Sequence, residues 1–435
     1  MVMKVVHVPF TWLPDALGGT EVYVQGLLRG LSQAGLEQLV VATVNDGPEV
    51  EPGVRRIRPM QQPSLPQLYG EGDERSAADF YRILSREKPD VVHFHAMTPT
   101  VSLRWLEQAR RVGAACVFTH HSATFSCPRG TLMWRGRKPC EVAPSALECS
   151  ACLFQGRGLP DLLAKPAAAL TWFGRWWPQG RAASQILPLL QRRGRSLRRW
   201  LDGMDAIVVL CDWSRRLMEQ RLAVRPERLH LVRHAVDGAP SRLAQRPACD
   251  LGLRLGFFGR ADPSKGLGLL LQAMALQPDL ALRLEVYLVG DEQSRRQARE
   301  AVGAVGMDER VQWCAALPPA EVPAAMARCD VVVVPSQWME TGPLVVLEAL
   351  NAGVPVLGSN LGGIAEWLRH DLDGWLLGWN DAQAWADAFA QLCARPEILA
   401  RWQQTLRGPG SCAEWIGAVL QVYEKAIHQR GGDAR

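Results

Sequence analysis

The sequence predicts an α/β protein built from two doubly wound domains. Its 435 residues exceed what one ordinary hydrophobic core supports. In both halves, short apolar runs alternate with longer amphipathic stretches, a pattern typical of parallel sheets covered by helices on both faces. With 48% hydrophobic and 21% charged residues, the composition excludes a largely disordered or collagen-like chain.

The predicted strands are short and rich in β-branched residues. They cover 2–8, 37–44, 90–94, 115–119 and 205–210 in the first half, and 253–258, 283–289, 310–313, 330–334 and 354–357 in the second. Amphipathic stretches predict helices at 20–34, 100–112, 212–222, 265–276, 293–305, 320–328 and 343–352.

The segment 236–252 is rich in Pro, Gly and small polar residues, which predicts a linker. We therefore expect a first domain at 1–240 and a second at 241–410. The helical stretch at 411–435 follows a turn signal, and it could pack back on the first domain.

Charge is unevenly distributed along the chain. Residues 1–245 contain 32 Lys and Arg against 22 Asp and Glu, whereas residues 246–435 contain 17 against 22. The basic half suggests an anionic partner, such as a phospholipid, an acidic saccharide or a nucleic acid. A solvated, arginine-rich surface explains the same asymmetry, and because nothing else in the chain supports RNA we expect no nucleic-acid partner.

Residues 120–200 interrupt the strand–helix alternation and are too long for a structureless loop. Seven arginines lie between 175 and 199. The aromatic residues among them are Trp172, Phe173, Trp176, Trp177 and Trp200. Such a mixture fits a peripheral membrane contact through 172–200, a site for an anionic or lipid-linked acceptor, or a packed helical insertion with a solvated basic face.

The compartment follows from two further features. No run of 18 apolar residues exists, which predicts no spanning helix. The opening MVMKVVHVPF lacks a charged leader before a long apolar stretch, so we read it as a strand and not as a signal peptide. We expect a cytoplasmic protein, with any membrane contact at the inner face.

Two groups of residues at predicted strand ends point to an anionic ligand. Gly18-Gly19 opens a helix after the first strand, where glycines let a backbone approach a phosphate. Arg260 and Lys265 follow the first strand of the second domain, at the usual ligand crevice of a doubly wound sheet. Arg260 and Lys265 are both suited to a diphosphate. The alternatives are that the glycine pair is only a turn and that Lys265 is a solvated residue at a helix start.

The segment 330–366 carries the strongest signal. A buried strand leads into a loop with Glu340, and Glu348 lies on the helix that follows. Pro343 is suited to the first helical position. Two carboxylates eight residues apart, one on a loop and one on the adjacent helix, could face one pocket and accept hydrogen bonds from the hydroxyls of a sugar or ribose.

These motifs make the chain resemble the retaining, nucleotide-sugar-dependent glycosyltransferases of family 4, which have the two-domain GT-B fold. The residues that carry the resemblance are the glycines at 18–19, DVVHFH at 90–95, FTHHS at 118–122, FFGR and KG within 257–266, and PSQWMETGPLVVLEALNAGVPVLGSNLGGIAE at 335–366. Glu340 and Glu348 match the family's E-x7-E motif. The resemblance covers nearly the whole chain, and it implies two Rossmann-like domains that face each other across a cleft.

The resemblance also implies roles in the second domain. Glu348 would hold the ribose hydroxyls and Glu340 the donor-sugar hydroxyls. Arg260 and Lys265 would neutralise the diphosphate. Many family members have Phe-Gly before this helix, whereas this chain has Gly342-Pro343. Because proline has no N–H, the backbone phosphate contacts are expected from Leu344 and Val345 beside Gly342.

In the first domain, the resemblance implies that Gly18 and Gly19 let a loop close over the phosphates. His121 would lie beside donor and acceptor, with His120 as the alternative. The sequence has no strand-end Asp-x-Asp pair to hold a metal, which fits a donor site that needs none.

Four cysteines crowd into one part of the insertion: Cys127, Cys140, Cys149 and Cys152. Thiolates at this spacing can complete a tetrahedral zinc shell, which would supply folding energy to a loop too long to pack by itself. Iron–sulfur ligation and plain or redox-active cysteines are the alternatives. Disulfides are disfavoured in a reducing compartment. A subset of similar glycosyltransferases has such a cluster, but the resemblance does not identify the metal.

The sequence thus predicts a retaining glycosyltransferase that moves a sugar from a nucleoside diphosphate to an acceptor hydroxyl. Cell-surface polysaccharide or glycolipid assembly is the expected setting, with a saccharide or lipid-linked acceptor. The alternatives are a non-catalytic nucleotide-sugar-binding protein on the same fold and a redox or metal sensor centred on the cysteines. A dinucleotide-dependent oxidoreductase would need a glycine-rich fingerprint that the chain lacks.

Overall fold

The computed structural model describes residues 2–13, 18–44, 50–64, 67–140, 145–173, 185–236, 252–289, 292–304 and 306–433. The chain divides into two compact units, one of residues 1–233 with 413–435 and the other of residues 234–412. Residues 237–251 of the expected linker lie outside the described residues, as do Trp176 and Trp177.

The first unit is a doubly wound α/β layer structure. Its strands are β1 (Lys4–Val8), β2 (Glu37–Thr43), β3 (Val50–Glu51), β4 (Val54–Ile57), β5 (Val91–Phe94), β6 (Ala115–His120), β7 (Met133–Trp134), β8 (Lys138–Pro139), β9 (Ala206–Val209) and β10 (Leu229–Leu231). Its helices are α1 (Gly19–Gln33), α2 (Glu74–Glu87), α3 (Leu103–Arg111), α4 (Ala146–Gly156), α5 (Asp161–Leu170), α6 (Ile186–Asp202) and α7 (Asp212–Arg216).

The large sheet of this unit has the strand order β10-β9-β6-β5-β1-β2-β4-β3. All neighbours are parallel except the short β3, which is antiparallel to β4. The strand order reverses between β1 and β5, which makes the carboxyl ends of these two strands a switch point, where doubly wound folds bind ligands. The β7–β8 hairpin is a separate two-stranded sheet.

The second unit repeats this design. Its elements are β11 (Leu253–Arg260), α8 (Leu267–Ala275), β12 (Leu282–Val289), α9 (Glu292–Ala304), β13 (Val311–Cys314), α10 (Val322–Met326), β14 (Val331–Val334), α11 (Leu344–Asn351), β15 (Val356–Ser359), α12 (Gly362–Trp367), β16 (Gly374–Leu377), α13 (Ala382–Ala394) and α14 (Glu397–Thr405). The six strands are parallel, in the order β13-β12-β11-β14-β15-β16. Here the switch point lies between β11 and β14.

Apolar side chains cover both faces of the second sheet. Phe257 belongs to the cluster on one face and Phe258, the next residue, to the cluster on the other. This alternation follows from the period of two along a strand, and it explains why the strands read as continuous apolar runs.

The last helix, α15 (Cys412–Asp433), belongs with the first unit from residue 413 onward. The hydroxyl of Tyr423 lies 2.8 Å from Nδ1 of His93 in β5. Arg430 donates to the carbonyl oxygen of Arg110 at the end of α3. The helix therefore packs against elements of the first unit that are distant from it in sequence.

Each predicted strand is confirmed as a strand of one of the two sheets, within two residues at either end. Sequence analysis did not predict β3, β4, β10 and β16 or the β7–β8 hairpin, because these strands are short and have no long continuous apolar run. Of the aromatic residues in the basic stretch, Trp200 fits the alternative of a packed helical insertion and not a membrane-facing surface. Its side chain is fully buried on α6 in the main core, among Phe94 and Phe118.

Candidate active site

The switch point of the second unit brings together two loops that sequence analysis selected. The turn Pro263–Lys265 follows β11, and residues 335–343 follow β14. The N–H of Gln337 donates to the carbonyl oxygen of Ser264 at 2.7 Å. Gly266 has a φ of +83°, and an added Cβ would lie 1.8 Å from the carbonyl oxygen of Pro335. Only glycine allows the two loops to come this close.

Glu340 is a buried carboxylate with donors converging on one oxygen. Its Oε1 accepts from Nζ of Lys265 at 2.7 Å, from Oγ of Ser336 at 2.9 Å and from Nε1 of Trp338 at 2.6 Å. The ammonium group of Lys265 also lies 4.8 Å from the centre of the Trp338 ring. The structure thus fixes both a carboxylate and a cation at the carboxyl ends of the strands, where charge-assisted hydrogen bonds hold them rigidly.

Glu348 lies on α11, eight residues further along the chain. Its side chain is partly buried, and this burial raises the pKa of the carboxyl group to about 7. Within the described part of the chain, no donor or cation pairs with this carboxylate. A desolvated carboxyl without a partner is costly to keep unless it serves a ligand, so Glu348 has the character of a binding group.

The start of α11 lies beside these carboxylates. Pro343 occupies the position before the first helical residue, not the first helical position expected from the sequence. Its carbonyl oxygen accepts from the N–H of Val346 at 2.9 Å. The preceding N–H groups, of Leu344 and Val345, belong to the first turn and have no acceptor within the helix, so they are available to an anion.

The backbone of Gly363 holds the Glu340 loop in place. Its N–H donates to the carbonyl oxygen of Glu340 at 2.7 Å, and an added Cβ would lie 2.9 Å from that oxygen and 3.0 Å from the carbonyl oxygen of Thr341. Sequence analysis included the glycine pair at 362–363 in the family resemblance, but it gave Gly363 no role.

Arg260 is separated from this group. Its side chain is 55% exposed, and its contact with Asp262 is long, at 4.0 Å. The structure therefore brings Lys265 and Glu340 together. Arg260 is close to Lys265 in sequence, but its side chain lies on the surface.

In the first unit, Glu21 holds the turn that contains Gly18 and Gly19. The N–H of Gly18 donates to Oε2 of Glu21 at 2.9 Å, and the N–H of Thr11 donates to Oε1 at 3.2 Å. This carboxylate is buried and caps the start of α1. Sequence analysis gave Glu21 no role, although the G-x-x-E spacing could have indicated this capping function.

Histidines line the carboxyl ends of β1, β5 and β6. Nδ1 of His7 lies 3.3 Å from Nε2 of His95, and Nδ1 of His95 lies 3.1 Å from Nε2 of His121. His7 and His95 are fully buried, and burial lowers the pKa of His7 to about 4 and that of His95 well below its ordinary value. Buried neutral imidazoles therefore connect β1 to His121, which is partly exposed.

The two adjacent histidines after β6 have different environments. His120 is fully buried, and its Nδ1 lies 2.6 Å from Oγ of Ser214. Burial lowers the pKa of His120 to about 4. His121 instead packs against the ring of Tyr23, at 4.6 Å between ring centres. Of the two, His121 is the one that a ligand can reach.

Among the described residues, one group of three metal-ligand types has all its ligand atoms within 4.8 Å of one another: His7, His93 and His95. His93 uses both ring nitrogens, one with Tyr423 and the other with Thr119 at 2.7 Å. Since a coordinating imidazole needs a free lone pair, we interpret this group as a hydrogen-bonded cluster.

Two family descriptions match successive parts of the chain. Residues 18–234 match a glycosyl transferase 4-like domain, and residues 253–407 match glycosyl transferases group 1. Together they span most of the chain and correspond to its two units. The protein therefore belongs to the glycosyltransferases of the GT-B fold.

Relatives and solved structures agree with this class. D-inositol 3-phosphate glycosyltransferase of Saccharomonospora viridis is 30% identical over 53% of this chain, and the match spans 58% of that relative. Sucrose-phosphate synthase of Thermosynechococcus elongatus has a TM-score of 0.65 at 18% identity, with 100% of this chain and 98% of that one covered. Anabaena HepE in complex with UDP has a TM-score of 0.58 at 17% identity, with 99% and 98% covered.

The sequence matches and the structural matches differ in coverage and in sequence identity. The chain spans little more than half the length of the curated relatives that it matches first. At under 20% identity, the structural matches show the fold alone. In the described residues, no helix is long and apolar enough to cross a membrane.

Proposed function

We propose that this protein transfers a sugar from a nucleoside diphosphate to an acceptor hydroxyl with retention at the anomeric carbon. The observation that carries the proposal is the switch point of the second unit. The Lys265–Glu340 pair lies there on two loops, and Glu348, which has no partner among the described residues, lies on the helix that follows. Cations, a helix start and a free carboxylate are what a nucleoside diphosphate requires: charge for its phosphates and an acceptor for its ribose hydroxyls.

The donor would be held from its two ends. Glu348 would accept hydrogen bonds from the ribose hydroxyls, and the backbone N–H groups of Leu344 and Val345, next to Gly342, would face the phosphates. Lys265, aided by Arg260, would neutralise the charge that develops on the leaving diphosphate. Stabilisation of such developing charge by prearranged groups is usually the largest contribution to catalysis. The donor site would need no metal.

Glu340 would orient the donor sugar through its hydroxyls. In the first unit, His121 would contact donor and acceptor, and Gly18 and Gly19 would allow the backbone to approach the phosphates. The cysteines take no part in the transfer.

We propose a saccharide or lipid-linked acceptor, in cell-surface polysaccharide or glycolipid assembly. A relative named amylovoran biosynthesis glycosyltransferase, from Erwinia amylovora, is 25% identical over 41% of this chain, which supports a polysaccharide setting. We propose that the protein works in the cytoplasm, with a peripheral contact at the inner membrane face through residues 172–200. Exposed Phe173 and exposed arginines on α6, such as Arg195 and Arg198, support this contact.

The test is turnover with a panel of uridine, guanosine and adenosine diphosphate sugars, with hydrolysis of the donor as the first readout. Uridine donors come first because HepE was solved with UDP. Turnover with one nucleotide family, and a product with the same anomeric configuration as the donor by NMR, are expected. A folded protein that turns over none of these donors but binds one would support the non-catalytic alternative, and an inverted product would contradict retention.

A further inference from the structure

The four cysteines of the insertion come from three separate pieces of backbone. Cys127 ends a turn that begins two residues after His121, with its N–H bonded to the carbonyl oxygen of Ala123 at 2.9 Å. Cys140 follows the β7–β8 hairpin, and its N–H bonds the carbonyl oxygen of Leu132 at 2.8 Å. Cys149 and Cys152 lie one turn apart on α4. A turn, a hairpin and a helix each contribute sulfur.

No disulfide joins any of these four cysteines. Cys149 is partly buried and lies close enough to Cys127, Cys140 and Cys152 to interact electrostatically with each of them. Within the described residues, no three of the sulfurs lie within 4.8 Å of one another, so a bound metal would have to draw them closer together. Four thiols gathered without a cation are electrostatically unfavourable once deprotonated, and a divalent ion removes this cost.

Donors already point at two of the sulfurs. The backbone N–H of Arg135 lies 3.4 Å from Sγ of Cys152, and the guanidinium of Arg129 lies 3.6 Å from the same sulfur. Arg221 lies 3.5 Å from Sγ of Cys140 and also bonds the carbonyl oxygen of that residue. A tetrathiolate with one divalent ion carries two negative charges, and N–H donors and arginines are the surroundings that stabilise it.

The apolar core between α4 and α5 is small, so a bound metal could stabilise this region. The apolar cluster between α4 and α5 consists of Ala151, Ala164 and Ala168, with Phe154 and Leu159 against it. Alanines bury little apolar area, while Leu162 on α5 is 90% exposed. A helical hairpin with so small a core of its own gains stability from a cross-link or a metal, and no disulfide joins its described cysteines.

We propose that Cys127, Cys140, Cys149 and Cys152 bind one zinc ion with tetrahedral geometry. Each thiol gives up its proton on coordination, so binding of one Zn²⁺ releases four protons when all four thiols begin protonated. The ion fastens the β7–β8 hairpin and α4 to the segment that leaves β6, and it holds that segment six residues beyond His121. Its role is structural, because four protein sulfurs leave no coordination position for a substrate.

The first experiment measures metal in the full-length protein, purified without chelators, by mass spectrometry of the elements. One zinc per chain is expected, with a shell of four sulfurs at about 2.3 Å by X-ray absorption. The double variant Cys149→Ser/Cys152→Ser should retain less than a tenth of the zinc. The matched control, Cys314→Ser/Cys393→Ser, changes two partly buried cysteines of the second unit and should keep it all.

A second measurement keeps the proposal testable if the double variant fails to fold. Chelation of zinc from the native protein should lower its melting temperature, and added zinc should restore it. Affinity for the nucleoside diphosphate should remain unchanged, so a failed donor site and a failed zinc site give different results. Folded protein that contains no metal, an iron–sulfur chromophore, or a disulfide among the four cysteines would each overturn the proposal.

Discussion

The two sheet edges occupy the same place in their folds but differ in chemistry. In the first unit, the carboxyl ends of β1, β5 and β6 present buried, neutral imidazoles, of which His7 and His95 are examples. In the second unit, the carboxyl ends of β11 and β14 present charge, with Lys265 against Glu340. The doubly wound fold therefore positions a site without deciding its electrostatics, and the side chains at the strand ends decide what each edge can bind.

The largest effect is expected when the charged edge loses its cation. In Lys265→Met, the buried Glu340 loses its ionic partner and the leaving diphosphate loses a positive charge. Turnover should fall by about a thousandfold, as on removal of other charge-stabilising groups. Steady-state kinetics measures this. Lys425→Met, on the exposed face of α15, is the control and should leave turnover unchanged. Equal turnover in both variants would remove Lys265 from the mechanism.

The two edges should respond oppositely to pH. The folded-state pKa of His7 and of His120 is lowered to about 4, so the unfolded chain binds more protons between pH 4 and 6.5. Stability of the first unit should therefore fall as the pH drops through that window, by up to about 3 kcal/mol for each imidazole. The pKa of Glu348 is raised to about 7, so its contribution to the second unit should instead fall as the pH rises from 4.5 to 7.

Hydrogen exchange followed separately in each unit measures this pH response. Backbone amides of β5 should lose protection at pH 5 relative to pH 7.5, while those of β14 should not. Loss of protection in both units to the same extent would show that the imidazoles do not control stability of the first.

Substitution of glycine by alanine should destabilise the two edges to different extents, because their loops approach other atoms at different distances. Gly266→Ala combines a φ of +83° with a contact of 1.8 Å to backbone, and should lower the free energy of unfolding by at least about 2 kcal/mol. Gly18→Ala, at a φ of −117° with its nearest atom at 3.2 Å, should cost less. Gly268→Ala meets open space on α8 and is the control. Urea denaturation measures all three, and equal costs would contradict the tight loop contact.

The smallest effect concerns the hydrogen bond that joins α15 to the imidazole edge. Tyr423→Phe removes the hydroxyl 2.8 Å from His93, and should cost about 1 kcal/mol of unfolding free energy. Tyr81→Phe, whose ring lies under the guanidinium of Arg111, is the control and should be nearly neutral. A neutral Tyr423→Phe would mean that His93 needs no partner on this side.

Sequence analysis predicted the fold and much of the charged edge, because these depend on local patterns. Continuous apolar runs such as Val331–Val334 mark buried strands directly, and strand ends indicate where ligand groups gather. The imidazole chain was not predicted, because His7, His95 and His121 are brought together only by parallel pairing of strands distant in sequence. For the same reason, the burial of Trp200 could not be predicted from composition alone, whereas the local G-x-x-E spacing could have indicated the role of Glu21.

The state of individual groups also lay beyond the sequence. The spacing of Glu340 and Glu348 indicates two acids near one pocket, yet it does not show that one is saturated with donors while the other has none among the described residues. That difference depends on the packing of Ser336 and Trp338 against Glu340. Because Glu348 receives no such donors among the described residues, it is the carboxylate that we expect to bind the ligand.

Calorimetry of nucleoside diphosphate binding tests the central claim most directly. Because ribose hydroxyls bond best to an ionised carboxylate, affinity of the wild type should rise as the pH rises from 6 to 8, through the pKa of Glu348 near 7. Glu348→Gln should bind more weakly at pH 8 and show no such pH dependence. If the wild type binds none of the nucleotides, or if Glu348→Gln binds them with wild-type affinity and pH dependence, the donor site is not where we place it.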